Sequence, residues 1–274
     1  MAALQVGFNP TPLPMNSDAV RPVATVRPAL TSRANPERFL YLGFSALLFV
    51  LMLLGFRQFY LHGHAVSGQP LPPPVRTLLI VHGTAMTTWM ALFLVQPLLI
   101  ASRNHRLHMS LGLFGAGLAA CIVVLGTWTA IATTQKIHTD LVRYGLNRRQ
   151  FMVVPLGDIG AFAVFVGIGI WNRKKPKIHA PMMLLATLAI MAAATNRIPE
   201  FHGLGASNVW GHVFGPHLIP LAVGVLFLAT KSALTRSFDR WFAGGLAGCA
   251  LLFALGMHLA PTAAWDRFVT FLTS

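Results

Sequence analysis

The chain has 274 residues, 55% of them hydrophobic and only 10% charged, with a formal net charge of +14. Soluble domains carry about 25% charged residues, so this balance excludes an ordinary soluble enzyme. With a mean hydropathy of +0.62 it points to an all-α, multi-span membrane protein. The Lys and Arg residues sit between apolar runs, where membrane topology accounts for them, and nucleic-acid binding is excluded as their purpose.

Residues 1–35 come first and are rich in Pro, Thr and Ala. Nothing there can bury a core, which predicts a disordered cytoplasmic tail. No apolar stretch precedes a small-residue cleavage site, so the segment does not read as a secretory signal. The rest, 36–274, reads as one domain of seven transmembrane helices. A bilayer core needs roughly 20 mostly apolar residues per helix. Seven runs meet that need: about 38–60, 77–101, 108–133, 151–171, 178–196, 209–234 and 240–260. Pro216 and Pro220 predict an irregular start to the sixth.

Basic residues set the expected orientation. One side carries Arg21, Arg27, Arg33, Arg38, Arg103, Arg106, Arg173, Lys174, Lys175, Lys177, Lys231, Arg236 and Arg240. The other carries Arg57, Arg76, Lys136, Arg143, Arg148, Arg149, Arg197 and Arg267. The first set flanks short loops tightly, which places it in the cytoplasm of a bacterial inner membrane, with the N-terminus inside and the C-terminus outside. The loop 134–150 fits least, because its four basic residues (Lys136, Arg143, Arg148, Arg149) then face outward. A retinal protein is excluded, since the seventh helix has no lysine for a Schiff base. Cys121 and Cys249 lie inside apolar runs and read as packing residues.

Eleven histidines are many for such a chain. His82 opens a stripe in which Met86, Trp89, Phe93 and Gln96 follow at helical spacing, a face suited to the bundle interior. His108 starts the third helix, where Gly112, Ala116 and Ala120 form one small row and Gly115 and Ala119 another. Such rows admit a neighbouring helix or a flat cofactor. His179 starts the fifth helix on the same side as His108, so the two can face one another. On the outer side His82 can meet His217 or His212, with His258 a third candidate. Two imidazoles facing across a bundle are the axial ligands a low-spin b-type haem needs. Against this stands a plain reading, in which each histidine only hydrogen-bonds a carbonyl, a headgroup or water. His62, His64, His202 and His212 offer a surface metal site as a further alternative. Asp158, about 10 Å into the fourth helix, needs a partner, and Arg197 at the end of the fifth predicts a structural ion pair. A proton relay, or an arginine binding a propionate or headgroup, are its functional readings. No hydrolase, P-loop or dinucleotide motif occurs.

The stretches HGTAMTTWMALFLVQPLLIASRNHRLHMSLGLFGAG, FMVVPLGDIGAFAVF, RKKPKIHAPMMLLATLAIMAAATNRIP and PTAAWDRFVTFL occur in order. Over about residues 40–272 the chain resembles a large bacterial family of multi-pass membrane proteins that has no assigned biochemical activity. The matching positions are His82, Trp89, Gln96, His108, Asp158, Arg173, His179 and Arg197. The family has basic residues after its second and third histidines. Here those places hold Met109–Ser110 and Ala180–Pro181, which puts a phosphate- or propionate-binding role there in question. His217 lies outside the family pattern. The second helix is also similar, over a short stretch, to the di-haem cytochrome b type membrane reductases.

The expected function is therefore a b-type haem protein carrying electrons in or across the membrane. His108 and His179 are its inner ligands, His82 and His217 its outer ones, and Trp89 packs on the haem or between centres. A quinol or other redox partner goes with that reading. The alternatives are a non-redox transporter or scaffold, or an accessory subunit of a larger membrane complex. In the last case the tail 1–35 and the proline-rich loop 61–76 serve as contact arms.

Overall fold

A computed structural model describes residues 36–64, 70–137, 142–201 and 208–274, together with positions 2, 3 and 7. The expected tail, His138, His202 and part of the 61–76 arm lie outside the described residues. Seven helical stretches are long and apolar enough to cross a membrane. In chain order the helices are α1 (Pro36–Gly55), α2 (Arg57–His62), α3 (Arg76–Ala101) and α4 (His105–Lys136). A single turn, α5 (Arg148–Phe151), then leads into α6 (Val153–Trp171). Next come α7 (Pro176–Ala189) and its continuation α8 (Ala192–Thr195). After these, α9 (Val209–Phe214) runs through a 3-10 turn at Gly215–His217 into α10 (Leu218–Thr235), followed by α11 (Arg240–Leu259) and α12 (Ala263–Thr273).

Side-chain caps fix where several helices begin. Asn104 accepts from the Leu107 amide at 3.2 Å ahead of α4, and Asn208 from the Gly211 amide at 2.8 Å ahead of α9. Asp239 accepts from the Trp241 and Phe242 amides ahead of α11. Asn147 and Gln150 cap one another reciprocally ahead of α5.

The helices α1, α3, α4, α6, α11 and α10 pack in that cyclic order around α7 and α8. This makes α7 the hub, and its residues from Leu184 to Ala189 are all buried. Around it sit Phe162 and Phe165 of α6, Phe227 of α10, and Phe242 and Phe253 of α11. The outer surface of the ring is apolar instead. Leu113, Val124, Trp171, Val225, Leu251 and Leu255 are exposed, an arrangement that lipid favours and water does not.

Contacts define two ends. At the near end the starts of α1 and α11 meet the last turns of α10, and the starts of α4 and α7 meet each other. At the far end α1 finishes against α8, and α4 finishes against α12. Close approaches are made by glycine. A Cβ on Gly55 would collide with the backbone of Ala194, and one on Gly126 with the side chain of Ile159. A Cβ on Gly115 would come within 2.8 Å of Leu92. The buried small row of α4 is thus filled by neighbouring helices, which answers one of the two roles expected of it.

The helix α12 lies outside the seven expected runs. It is amphipathic, burying Trp265 and Val269 while Phe268 and Phe271 stay exposed. Arg149 holds it through Asp266 at 3.0 Å and Thr270 at 2.7 Å, and Gln135 donates to the Thr273 carbonyl at 3.0 Å. The apolar recurrence Trp265, Phe268, Val269, Leu272 carried the signal.

Candidate functional site

The stripe on α3 faces inward as expected. Trp89 is buried, packs edge-on against Phe162 with ring centroids 4.8 Å apart, and donates from Nε1 to Thr187 Oγ1 at 3.2 Å. It therefore ties the ring to the hub at mid-depth. Met86 and Phe93 pack on the same core. Gln96 donates to the His108 carbonyl at 3.3 Å, and its Oε1 is buried without a partner among the described residues.

The near-end histidines converge. His108 on α4 and His179 on α7 have ring centroids 6.4 Å apart and planes 89° to one another. His179 is anchored, its Nδ1 bonding the Gly169 carbonyl at 2.9 Å, which leaves Nε2 as its second nitrogen. His108 Nδ1 is buried without a partner among the described residues. This pair was expected from the shared depth of two helix starts. The structure adds the rotation of each helix, which turns both rings inward.

The far-end histidines do not form the expected pair. Both ring nitrogens of His217 are engaged: Nε2 meets Asp158 Oδ1 at 2.5 Å and Nδ1 meets the Phe214 carbonyl at 3.1 Å. Its ring also stacks on Phe253, 3.6 Å between centroids and 8° from parallel. That leaves His217 no nitrogen to share with His82. His82 instead lies beside Gly126 of α4, with Nδ1 buried and unpartnered among the described residues. Asp158 is correspondingly paired with His217 rather than with Arg197. The Arg197 guanidinium lies 4.5 Å from the centre of the Phe56 ring and donates to the Ala193 carbonyl. His212 and His258 are exposed. His62 and His64 have ring centroids 6.0 Å apart, but among the described residues no three His, Cys, Asp or Glu side chains gather into a metal cluster.

One cluster was missed altogether. Lys231 on α10 is buried, and its Nζ reaches Glu37 Oε1 at 2.6 Å, Asp239 Oδ2 at 2.7 Å and the Tyr41 hydroxyl at 3.1 Å. From sequence it counted as a loop-side cation. The available clue was that two of only seven acidic residues, Glu37 and Asp239, start helices at that same end.

Among the described residues, the bundle thus holds the Lys231 cluster and a bis-histidine site at the near end and an aspartate–histidine site at the far end. Compared with protein-family profiles, characterised proteins and solved structures, the chain matches none.

Proposed function

We propose that this is an integral membrane b-type haem protein that carries electrons, with one haem held between His108 and His179. The carrying observation is the separation and setting of those two rings. His108 and His179 would be the residues to hold the haem: their rings converge from two helices with centroids 6.4 Å apart, near enough for both imidazoles to reach one bound group. His179 also has the carbonyl partner at Nδ1 that fixes a ligating tautomer. α4 and α7 are separated by α6 rather than packed against one another along their length. Haem supplies reversible one-electron chemistry when bound. The protein's part is to position both imidazoles and to exclude water with the surrounding apolar side chains. Trp89, about one helical turn from Phe93, sits deeper in the bundle and ties α3 to α7, the helix that carries His179, through its bond to Thr187.

We further propose that the near end is cytoplasmic, in a bacterial inner membrane. Arg103, Arg106, Arg173, Lys174, Lys175 and Lys177 are exposed there, while Lys231 is internally neutralised. The awkward far-end cations serve structure: Arg148 donates to the Thr133 carbonyl and Arg149 to Asp266. A cysteine placed at exposed Ser237 is expected to react with a membrane-impermeant maleimide in inside-out vesicles only. Labelling in right-side-out vesicles would reverse the orientation.

The haem reading is tested by purifying the full chain from haem-replete cells. A Soret band, a sharp reduced α-band and stoichiometric iron are expected. His108→Ala and His179→Ala should each remove the bands and the iron while helical circular dichroism persists. Colourless, iron-free wild-type protein would refute the reading. A second reading, a non-redox transporter, is favoured by the interrupted helices α7–α8 and α9–α10. It predicts that neither histidine variant changes the spectrum.

A further inference from the structure

Two membrane-crossing stretches are broken at matching depth. One break, at Ile190–Met191, separates α7 from α8. The other, at Gly215–His217, separates α9 from α10, with Gly215 at φ +56°. Counting about 1.5 Å per residue, the first lies roughly 6–8 Å from Thr195 and the second roughly 9–12 Å from Val209, the far ends of their stretches. Asp158 on α6 lies at that depth too. Helix breaks inside a membrane bundle free backbone groups and mark ion sites in many transporters. Here the broken turn delivers His217 onto the only acidic side chain in the membrane-spanning interior of the described far half.

The hydrogen bonds count the protons. The Phe214 carbonyl can only accept, so His217 Nδ1 must carry a hydrogen. The 2.5 Å contact between Nε2 and Asp158 Oδ1 needs one further proton between them. Whether that proton sits on nitrogen or oxygen, the pair as a whole is neutral. Removing it leaves two acceptors facing each other and an uncompensated carboxylate in a bundle where lone charge is costly. The adjoining cavity, lined by Leu185, Leu188, Pro220, Cys249 and Phe253, has a volume of about 10 Å³. That is the lower limit for a single water and far below any organic solute.

We infer that the Asp158–His217 pair is a proton-binding site, exchanging one proton between the bundle interior and the water at the far end. On release, the proton leaves the Nε2–Oδ1 bond, Asp158 becomes a carboxylate and His217 stays neutral through Nδ1–H. Uptake restores the bond. No electron moves and no other bond breaks, so the site functions with or without haem. Among the described residues, the titratable or charged groups toward the far end of the elements around it are Cys249 and His258 on α11, His82 on α3, His212 on α9, Arg148 and Arg149 on α5, Lys136 at the end of α4, and Arg197 just after α8. At this depth α7, α8 and α10 bring none.

The test is pH-difference infrared spectroscopy of the full chain in lipid nanodiscs. A protonated-carboxyl C=O band is expected that titrates and moves in D₂O. Asp158→Asn should delete it, and Asp266→Asn, on the exposed face of α12, should leave it unchanged. His217→Gln should shift the pH at which it titrates. Asp158→Glu keeps a carboxyl and should move the band rather than abolish it, which keeps the test open if the asparagine variant does not fold. The inference is overturned if folded wild-type protein shows neither a titrating carboxyl band nor, in its place, a titrating histidinium ring band that His217→Gln deletes, or if the carboxyl band survives unchanged in Asp158→Asn or Asp158→Glu. Neither result bears on the haem bands, so the two proposals fail separately.

Discussion

Lys231→Met is expected to cost about 3–5 kcal/mol of stability, the range for breaking a buried ion pair by removing one partner. The ammonium has three donors, and all three are used, by Glu37, Asp239 and Tyr41. Methionine keeps most of the side-chain volume and removes only the charge. The Asp239 carboxylate, whose side chain is 8% exposed, is then left without its cation. Glu37 contributes less, because at 38% exposure water screens it. Asp239 has a second duty that separates charge from capping: Oδ1 caps α11 while Oδ2 meets the lysine. The double variant Lys231→Met/Asp239→Asn keeps a capping oxygen and loses the stranded charge, so it should regain much of the deficit. Thermal and denaturant unfolding in detergent measure both. A loss under about 1 kcal/mol for Lys231→Met, typical of a surface pair, would mean that water reaches the cluster.

Gly55→Leu should destabilise by at least the roughly 1–3 kcal/mol usual for overpacking, with Gly55→Ala already harmful. The added Cβ would point into the Ala194 carbonyl and Cα, which are backbone atoms and cannot rotate aside. Either α1 or α8 must move, and α8 is the far end of the hub. Gly160 provides the internal control. It lies in α6 with nothing within 4 Å of a built Cβ, so Gly160→Ala should be neutral or slightly stabilising, by up to about 1 kcal/mol from helix propensity. The same chemical change therefore carries opposite signs at two sites. Equal melting temperatures for Gly55→Ala and Gly160→Ala would remove the close approach of α1 and α8.

What could be read from the sequence follows a physical divide between depth and rotation. Hydropathy fixes where a helix enters and leaves lipid, and the seven expected runs correspond to the seven long apolar stretches, with ends shifted by a few residues. Depth alone brought His108 level with His179. It also brought Asp158 level with Arg197, the partner expected, whereas the partner met at that depth is His217. Which of two partners at one depth is met depends on how each helix is turned about its axis, and that is set by packing such as His217 on Phe253 and Arg197 on Phe56. The small row of α4 is the same case, since only the fold shows that Leu92 packs on Gly115. Lys231 escaped notice because a cation beside a loop normally reports topology, and one of the acids that neutralise it, Glu37, lies far off in the chain.

The strap across the far end carries a lesson about assembly. The bond from Gln135 to the Thr273 carbonyl links positions 138 residues apart in sequence, and that from Arg149 to Asp266 spans 117. Contacts of such long range are slow to find each other, and every group that α12 touches is synthesised before it. On an emerging chain, Arg149 and Gln135 must wait with their donors in water or headgroups until the last hairpin has threaded the bilayer. That face is therefore latched only once α12 has emerged, and a chain halted before Ala263 would have its hub in place without this latch.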